Sequence, residues 1–171
     1  MYNDFYKLSQ SENFNKIINS NGISESVIFL SDADNVVYKF YKNDPAYSRF
    51  VNWCVGRDDP HLPVIECVQE TDDGFSKVKL EKLSPITEDE FYDLGLFDLI
   101  NYALDQAEYV DHFILPTDEY LQEIVMRYPG FGRTIVSLYT ALVDKHNKID
   151  LHYENIMMRS GIPVIIDPLL P

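Results

Sequence analysis

The sequence has few glycines, few basic residues and almost no cysteine. Its 171 residues include 7 Gly, 14 Lys and Arg, and 2 Cys. The low glycine content, together with 46% hydrophobic and 25% charged residues, excludes collagen-like and low-complexity chains and predicts a folded protein. A chain of this length can bury one core and is too short for two domains of average size. We therefore expect one compact unit with at most two small lobes.

Long hydrophobic runs are missing as well. No uncharged apolar stretch approaches the roughly 20 residues that a membrane helix needs. The first residues, MYNDFYKLSQSEN, lack the basic and apolar blocks of a signal peptide. We expect a soluble protein that remains in the cytoplasm and has no membrane partner.

Acidic residues outnumber basic ones, and this imbalance limits the classes of partner. The chain has 28 Asp and Glu and a formal net charge of −14. Such a field repels phosphate backbones, so we expect no direct binding to nucleic acid. A basic protein partner or bound divalent cations suit it better, and on charge alone the plainer interpretation is a surface that is simply well solvated. The thiols of Cys54 and Cys67 lie in apolar contexts, which predicts buried, unpaired cysteines in a reducing compartment.

The first half of the chain predicts strands with one helix among them. β-branched and aromatic residues on either side of an Asp/Asn cluster indicate a hairpin, and a second hairpin surrounds ETDDG. Between them, Pro45 after Asp44 opens a helix that ends near Gly56. A weak apolar spacing in residues 11–20 allows a further short helix. The hairpin strands cover residues 26–30, 36–41, 63–68 and 75–83.

The second half of the chain predicts helices followed by a short hairpin. Thr87 and Glu90 form a capping box ahead of one long amphipathic helix that continues to Ala107. Thr117 is expected to cap a second helix, which Pro129 ends. A third helix and the two hairpin strands cover residues 131–146, 156–158 and 164–166.

A lysine lies on an apolar face of the first hairpin. Alternation along VVYKFY places Val37, Lys39 and Tyr41 on one side of the strand. Taken alone, Lys39 fits an edge-strand lysine that discourages aggregation.

In the segment KIDLHYENIMMRSGIPVIIDP, three oxygen-bearing side chains can converge on one point. Asp150 and Asn155 belong to a polar loop, and closure of the hairpin is expected to bring Asp167 back beside Asn155. Oxygen ligands, shared in part with phosphate oxygens, are what Mg²⁺ prefers. The segment therefore predicts a site for metal and phosphate.

The spacing of these residues resembles that of protein kinases. In that family an Asp lies five positions before a metal-binding Asn, a second metal-binding Asp follows a short hairpin, and a strand carries a lysine like that of VVYK. The DLH stretch with Asn155 is also similar to aminoglycoside and choline-type phosphotransferases. Closest of all, NVVYKFYK, PVIECV, IDLHYENIM and PVIIDP resemble the early serine/threonine protein kinases of podophages of the T-seven group.

The resemblance implies an α+β, minimal bilobal protein kinase-like fold. It implies a single kinase-like domain over residues 1–171, with a small antiparallel sheet lobe at 1–83 and a truncated helical lobe at 84–171. The implied activity is that of a phage-encoded, ATP- and Mg²⁺-dependent serine/threonine protein kinase in the host cytoplasm. Its substrate would be a host protein, and the acidic charge favours a basic one. The sequence does not predict the oligomeric state.

The resemblance also implies a role for each matching residue. Asp150 would orient and deprotonate the substrate hydroxyl, and Lys39 would contact the α and β phosphates. Asn155 and Asp167 would hold Mg²⁺. The other nucleotide contacts implied are Gly22 and Ser24 in the phosphate-covering loop, Val37 against the adenine, and Glu81 and Leu83 at the hinge.

The chain departs from the kinase pattern in several places. Gly22 is the only glycine where kinases have a glycine-rich loop. Residues 45–55 contain no Glu to pair with the strand lysine, which leaves Asp44 or Glu66 as substitutes. Asp167 precedes a proline and the final residues, so we expect neither an activation segment nor a helical peptide-docking subdomain.

Two other functions remain open at this point. One is a pseudokinase or an acidic antagonist that binds a host protein, and the other is a small-molecule phosphotransferase, which DLH favours.

Single residues also have plainer interpretations. Asp150 fits a turn cap, Asn155 a loop-stabilising amide, Asp167 a strand end, and His152 a packing residue.

Overall fold

The protein has a mixed α+β structure. The computed structural model describes five stretches of the chain, residues 16–19, 25–31, 35–70, 75–144 and 147–170. These stretches contain antiparallel sheets and five helices, which confirms the predicted α+β class. No helix within them is long and apolar enough to cross a membrane. The chain divides into two compact units, residues 1–45 with 64–82, and residues 46–63 with 83–171.

The first unit is built on a five-stranded antiparallel sheet. The strands are β1 (Lys16–Asn19), β2 (Glu25–Ser31), β3 (Val36–Lys42), β4 (Ile65–Glu70) and β5 (Ser76–Glu81). Their order in the sheet is β1-β2-β3-β5-β4, which places β3 in the middle. β2 and β3 form the first predicted hairpin, and β4 and β5 form the second.

The predicted helix at 11–20 is wrong where the structure describes it. Residues 16–19 form β1 and pair antiparallel with β2, from Lys16 opposite Leu30 to Asn19 opposite Val27. Residues 11–15 and 20 lie outside the described residues. The segment IIN has β-branched residues, and pairing with a neighbouring strand decides its structure over a weak helical spacing.

An aromatic cluster forms the core of the first unit. Phe29, Phe40 and Phe75 are buried, and Val27 and Tyr38 pack against them. The rings of Phe29 and Phe40 meet edge to face, with centroids 5.3 Å apart, a favoured geometry for aromatic pairs.

The helix α1 (Pro45–Cys54) begins at the predicted proline, and Gly56 follows with a φ of 74°. Its buried face is made of Ala46, Tyr47, Phe50, Val51 and Cys54. Residues 46–63 belong to the second unit, whereas the sequence prediction placed all of 1–83 in the sheet lobe.

Two helices replace the single long helix predicted after Pro85. α2 (Glu88–Asp93) begins with the predicted capping box of Thr87 and Glu90, and α3 (Leu96–Ala107) follows it. Gly95 separates them with a φ of 72°, in the left-handed region that favours glycine. The spacing of apolar residues continues across this break, so it gives no sign that the helix is interrupted.

The next two helices lie close to their predicted positions. α4 (Glu119–Arg127) is capped by Asp118 and not by Thr117, because the Asp118 side chain accepts the hydrogen of the Leu121 amide. α5 (Phe131–Leu142) ends before the predicted residue 146. Residues 145 and 146 lie outside the described residues.

Short antiparallel strands complete the second unit. β6 (Ser84–Pro85) pairs with β8 (Ile156–Arg159), which forms a hairpin with β9 (Ile162–Ile165). β7 (Lys148–Ile149) pairs with β10 (Leu169–Leu170). Ser160 and Gly161 both have positive φ, as a tight two-residue hairpin turn requires.

Residues 59–62, here called the clasp loop, are bound by the C-terminal hairpin. The guanidinium of Arg159 donates to the carbonyl oxygens of Pro60 and Leu62, both at 2.8 Å. The amide of Ile165 donates to the carbonyl of His61 at 2.9 Å. These bonds give three carbonyl groups of the loop a hydrogen-bond partner within the protein.

Helix α5 and the turn before it bind the same loop through side chains. Thr134 donates its hydroxyl hydrogen to Asp59 at 2.7 Å. The ring nitrogens of the buried His61 lie 2.9 Å from the carbonyl oxygen of Pro163 and 3.1 Å from that of Pro129. The clasp loop therefore connects the end of α1 to both α5 and the C-terminal hairpin.

We expect Gly95→Ala to destabilise the protein more than Gly56→Ala. Both glycines have a φ near the left-handed region, at 72° and 74°, so either change strains the backbone by about 1 kcal/mol. A Cβ at Gly95 would lie 2.4 Å from Cδ1 of the buried Ile124, whereas a Cβ at Gly56 meets nothing within 4 Å. Chemical denaturation should show a further loss of about 1–3 kcal/mol for Gly95→Ala. Equal losses would contradict the close packing of Gly95, at the start of α3, against Ile124 in α4.

Cys54 should resist thiol reagents in the native protein. Burial raises the pKa of the Cys54 thiol to about 12, and the thiolate is the reactive form. Cys67 is only half-buried, which differs from the prediction that both cysteines are buried. Labelling with iodoacetamide at neutral pH should modify one site in the wild type and none in Cys67→Ser until denaturant is added. Rapid modification of native Cys67→Ser would contradict the burial of Cys54.

Candidate active site

The predicted catalytic loop is a short turn between strands β7 and β8. Asp150 follows β7 directly, and residues Tyr153–Asn155 form one turn of 3₁₀ helix before β8. The amide of Asn155 donates to the carbonyl of His152 at 2.9 Å, which closes this turn. The turn brings Asn155 back toward Asp150.

Two backbone hydrogen bonds fix the position of Asp167. The amide of Ile166 donates to the carbonyl of Asn155 at 3.0 Å, and the amide of Asp150 donates to the carbonyl of Pro168 at 2.8 Å. Asp167 is thus flanked on one side by a residue bonded to Asn155 and on the other by a residue bonded to Asp150. The hairpin closure expected from the sequence occurs, and it brings the main chain of all three residues together.

The side chain of Asn155 contacts Asp150 directly. Its Nδ2 donates to the carbonyl oxygen of Asp150 at 2.8 Å and lies 3.2 Å from the carboxylate oxygen Oδ2. Both partners only accept hydrogen bonds, so they fix which way the amide points. Its carbonyl oxygen Oδ1 consequently points away from the Asp150 carboxylate.

His152 is a site residue that the sequence prediction assigned to packing. Its Nδ1 accepts the hydrogen of the Glu154 amide at 3.3 Å and so caps the 3₁₀ turn. Its Nε2 lies 3.3 Å from Oδ2 of Asp150. The signal that could have identified it is its place two positions after Asp150 in DLH.

Solvent reaches the site residues. The side chain of Asp150 is 28% exposed and that of His152 is 41% exposed, so a ligand has access to the carboxylate. The Glu154 carboxylate, with smaller effects from burial and from Glu88, raises the pKa of Tyr153. A bound cation suits a loop that carries acidic side chains at positions 150 and 154.

The oxygen donors of the loop are of the kind that Mg²⁺ shares with phosphate and water. Within the described parts of the chain, no group of three or more His, Cys, Asp or Glu side chains has a geometry that could hold a metal. Asn155 and Asp167 offer oxygen atoms and come from neighbouring backbone positions. Mg²⁺ commonly takes one or two such protein ligands and completes its shell with phosphate and water.

Lys39 occupies the middle of the sheet in the first unit. It is 7% exposed, and its neighbours across the strands are Ile28 and Val78. β3 is flanked by β2 and β5, so the interpretation of Lys39 as an edge-strand lysine is wrong. Val37 lies on the same strand and is half-buried. A lysine buried in a central strand is uncommon and calls for a polar partner or a ligand.

The other residues predicted to contact the nucleotide or the strand lysine lie at separate places in the chain. Glu81 ends β5, where its carboxylate accepts the amide hydrogen of Val64 at 2.6 Å, and Leu83 is half-buried in the second unit. Glu66, one suggested partner for the strand lysine, forms an ion pair with Lys79 at 2.5 Å. The predicted nucleotide contacts outside the described residues are Gly22 and Ser24.

No family model and no curated protein sequence gives a significant match to the chain.

Asn155→Asp should destabilise the protein in a pH-dependent way. The change places a carboxylate where an amide nitrogen lies 3.2 Å from Oδ2 of Asp150, and two carboxylates at that distance repel. We expect a loss of about 2–3 kcal/mol at neutral pH. The loss should shrink toward about pH 4, where one of the pair takes up a proton. The measurement is denaturant unfolding of variant and wild type across this range.

Asn155→Ala is the control for that experiment. It removes the same hydrogen bonds without adding charge, so its loss of stability should vary less with pH than that of Asn155→Asp. Parallel pH profiles for the two variants would contradict the contact between Asn155 and Asp150.

Proposed function

We propose that the chain is a minimal protein kinase-like phosphotransferase that uses ATP and Mg²⁺ to phosphorylate serine or threonine of a protein. The observation that carries the proposal is the arrangement of Asp150, Asn155 and Asp167, with Asn155 bonded to Asp150 and Asp167 held between backbone bonds to both. Three plain loop residues with unrelated structural roles have no need to converge. Phosphoryl transfer does need a base and metal ligands at one place.

In the proposed reaction, Asp150 orients the acceptor hydroxyl and takes its proton. The hydroxyl oxygen forms a bond to the γ phosphorus, the bond from that phosphorus to the bridging oxygen breaks, and ADP leaves with the electron pair. A partly exposed carboxylate at the start of a turn is accessible to such a hydroxyl. Positioning and charge neutralisation contribute most to this class of reaction.

Asn155 and Asp167 would hold Mg²⁺, which neutralises charge on the phosphates when bound. The amide of Asn155 gives its nitrogen to Asp150 and thus presents its oxygen to a ligand. We assign Lys39 to the α and β phosphates, since a buried lysine on a central strand is suited to an anion. Val37, Gly22, Ser24, Glu81 and Leu83 complete the nucleotide contacts in this proposal.

A small-molecule acceptor is the second candidate. The observation that favours it is the contact of His152 with Asp150, because DLH with Asn155 is the stretch similar to aminoglycoside and choline-type phosphotransferases. The two candidates share the same base and metal ligands and differ only in the acceptor. The net charge of −14 favours a basic host protein over a small cationic metabolite as the acceptor.

Asp150→Asn should abolish phosphate transfer while nucleotide binding persists. Transfer from γ-labelled ATP with Mg²⁺ is measured on a basic protein mixture such as histones, and on choline and an aminoglycoside. Loss of the base is expected to lower kcat by about 10²–10⁴-fold. Binding of a fluorescent ATP analogue, with and without Mg²⁺, is measured in parallel.

Asp111→Asn is the matched control. Asp111 also pairs with a histidine, His112, at 3.1 Å, but both side chains are exposed and neither belongs to the loop of residues 150–155. It should transfer phosphate at the wild-type rate. Full activity of Asp150→Asn would refute the assignment of the base. A wild type that binds no nucleotide and labels no acceptor would refute the enzyme and favour a binding protein.

A further inference from the structure

The stretch from residue 83 to residue 126 contains no Lys and no Arg. Its 44 residues include 11 Asp and Glu, a formal charge of −11, which leaves −3 of the total of −14 for the other 127 residues. The first basic residue after it, Arg127, lies in the last turn of α4. The negative charge of the protein is therefore concentrated on the elements from β6 to α4.

Exposed apolar side chains are concentrated in the same stretch. Twelve large hydrophobic side chains are exposed among the described residues, and seven of them lie between positions 83 and 126, among them Tyr92, Phe97 and Tyr120. A surface that was acidic only for the sake of solubility would carry few of them. Exposed apolar side chains that are grouped and surrounded by charge are typical of a surface that binds a partner.

A groove with a volume of about 330 Å³, here called the acidic groove, lies between α3 and the start of α4. The residues on its α3 side are Asp98, Asn101, Tyr102 and Asp105. Intervals of three and four residues place them on one face of the helix. Asp118 and Tyr120 lie on the other side, at the start of α4. The volume is at the lower limit for ligand pockets, so the groove suits one long side chain better than a nucleotide.

Both tyrosine rings of the acidic groove are held by their hydroxyl groups. Tyr120 donates to Oδ2 of Asp98 at 2.9 Å, and Tyr102 donates to the carbonyl oxygen of Ile114 at 3.3 Å. A ring that is already held loses little freedom when a ligand stacks on it. The face of a tyrosine ring attracts cations, most often the guanidinium of arginine.

The polar side chains of the groove retain acceptors for a ligand. Asn101 and Asp105 form no side-chain hydrogen bond or ion pair with another described residue. Asp98 uses Oδ2 for Tyr120, and Asp118 uses Oδ1 to cap α4, so each keeps a second oxygen. These carboxylates do not converge on a metal ion, since the described residues contain no group of three acidic, His or Cys side chains that could hold one. The lining therefore fits an organic cation.

We propose that the acidic groove is a docking site for an arginine side chain in a basic segment of a protein partner. The guanidinium is planar, so it can stack on a tyrosine ring while its N–H groups donate to the carboxylates. The surrounding charge of −11 attracts further basic residues of the same segment. A role of the groove in selecting the phosphate acceptor rests on the proposed function, whereas the docking itself does not.

Fluorescence anisotropy of the full chain with a labelled peptide of alternating Arg and Gly provides the first test. The peptide has no Ser or Thr, so its binding does not depend on phosphate transfer. At low ionic strength, Asp98→Asn and Asp105→Asn should each raise Kd by about 3- to 10-fold, because each removes a charge and keeps an oxygen that can accept. A peptide of alternating Lys and Gly should bind wild type more weakly, since lysine lacks the planar group.

Asp89→Asn is the matched control. It removes one negative charge from the same stretch, but Asp89 lies in α2 and does not line the groove. Its Kd for the Arg peptide should stay within about twofold of the wild-type value, because salt screens charges that do not contact the ligand. Equal effects of the three variants, or equal binding of the Arg and Lys peptides, would indicate general charge attraction and overturn the proposal.

Backbone amide NMR spectra locate the bound peptide. Addition of the Arg peptide should shift the signals of residues 98–105 and 118–121, and Asp105→Asn should weaken these shifts. Shifts confined to other parts of the chain would overturn the proposal. The same shifts on addition of Mg²⁺ alone would also overturn it, since they would indicate a metal site.

Kinetics distinguish failure of this inference from failure of the proposed function. In a wild type that phosphorylates histones, Asp105→Asn should raise KM for the histone with kcat nearly unchanged. A wild type that transfers no phosphate but binds the Arg peptide in the groove refutes the kinase and retains the docking site. A wild type that phosphorylates histones, while all variants bind the Arg peptide equally, refutes the docking site and retains the kinase.

Discussion

The candidate site depends on the pair of backbone hydrogen bonds on either side of Asp167. Because they involve main-chain atoms of residues 166 and 168, they fix the main-chain position of Asp167 between Asn155 and Asp150. The register of β8 and β9 sets these bonds, and a slip by one residue would turn Asp167 to the opposite face.

The hairpin that carries this register is itself anchored by the clasp loop. Arg159 in β8 and Ile165 in β9 both bind carbonyl groups of residues 60–62, so the two strands share one anchor. The buried ring of His61 adds contacts to the carbonyl oxygens of Pro163 in β9 and of Pro129 before α5. A hairpin of four-residue strands is marginal alone, and these contacts compensate for its short length.

Local signals predicted the hairpins, the start of α1 and the capping box, because turn residues and caps act within a few positions of the chain. The convergence of Asp150 and Asn155 was also predictable, since a short loop and a tight hairpin join them. The break at Gly95 was not, because the apolar spacing runs through it. The central position of Lys39 depends on strand order, and the contacts of His152 depend on the geometry of one turn. The spacing of residues along the sequence predicts neither the position of Lys39 nor the contacts of His152.

The clasp loop has a consequence for how the protein folds as it is made. Its bonds to the C-terminal hairpin join residues 97, 99 and 102 positions apart in the chain. Contacts of such high separation form late and slow the folding of a small domain. On a ribosome, the loop leaves the exit tunnel long before its partners are translated. The second unit is therefore completed only after synthesis of the final strands, and until then chaperones have access to its unfinished core.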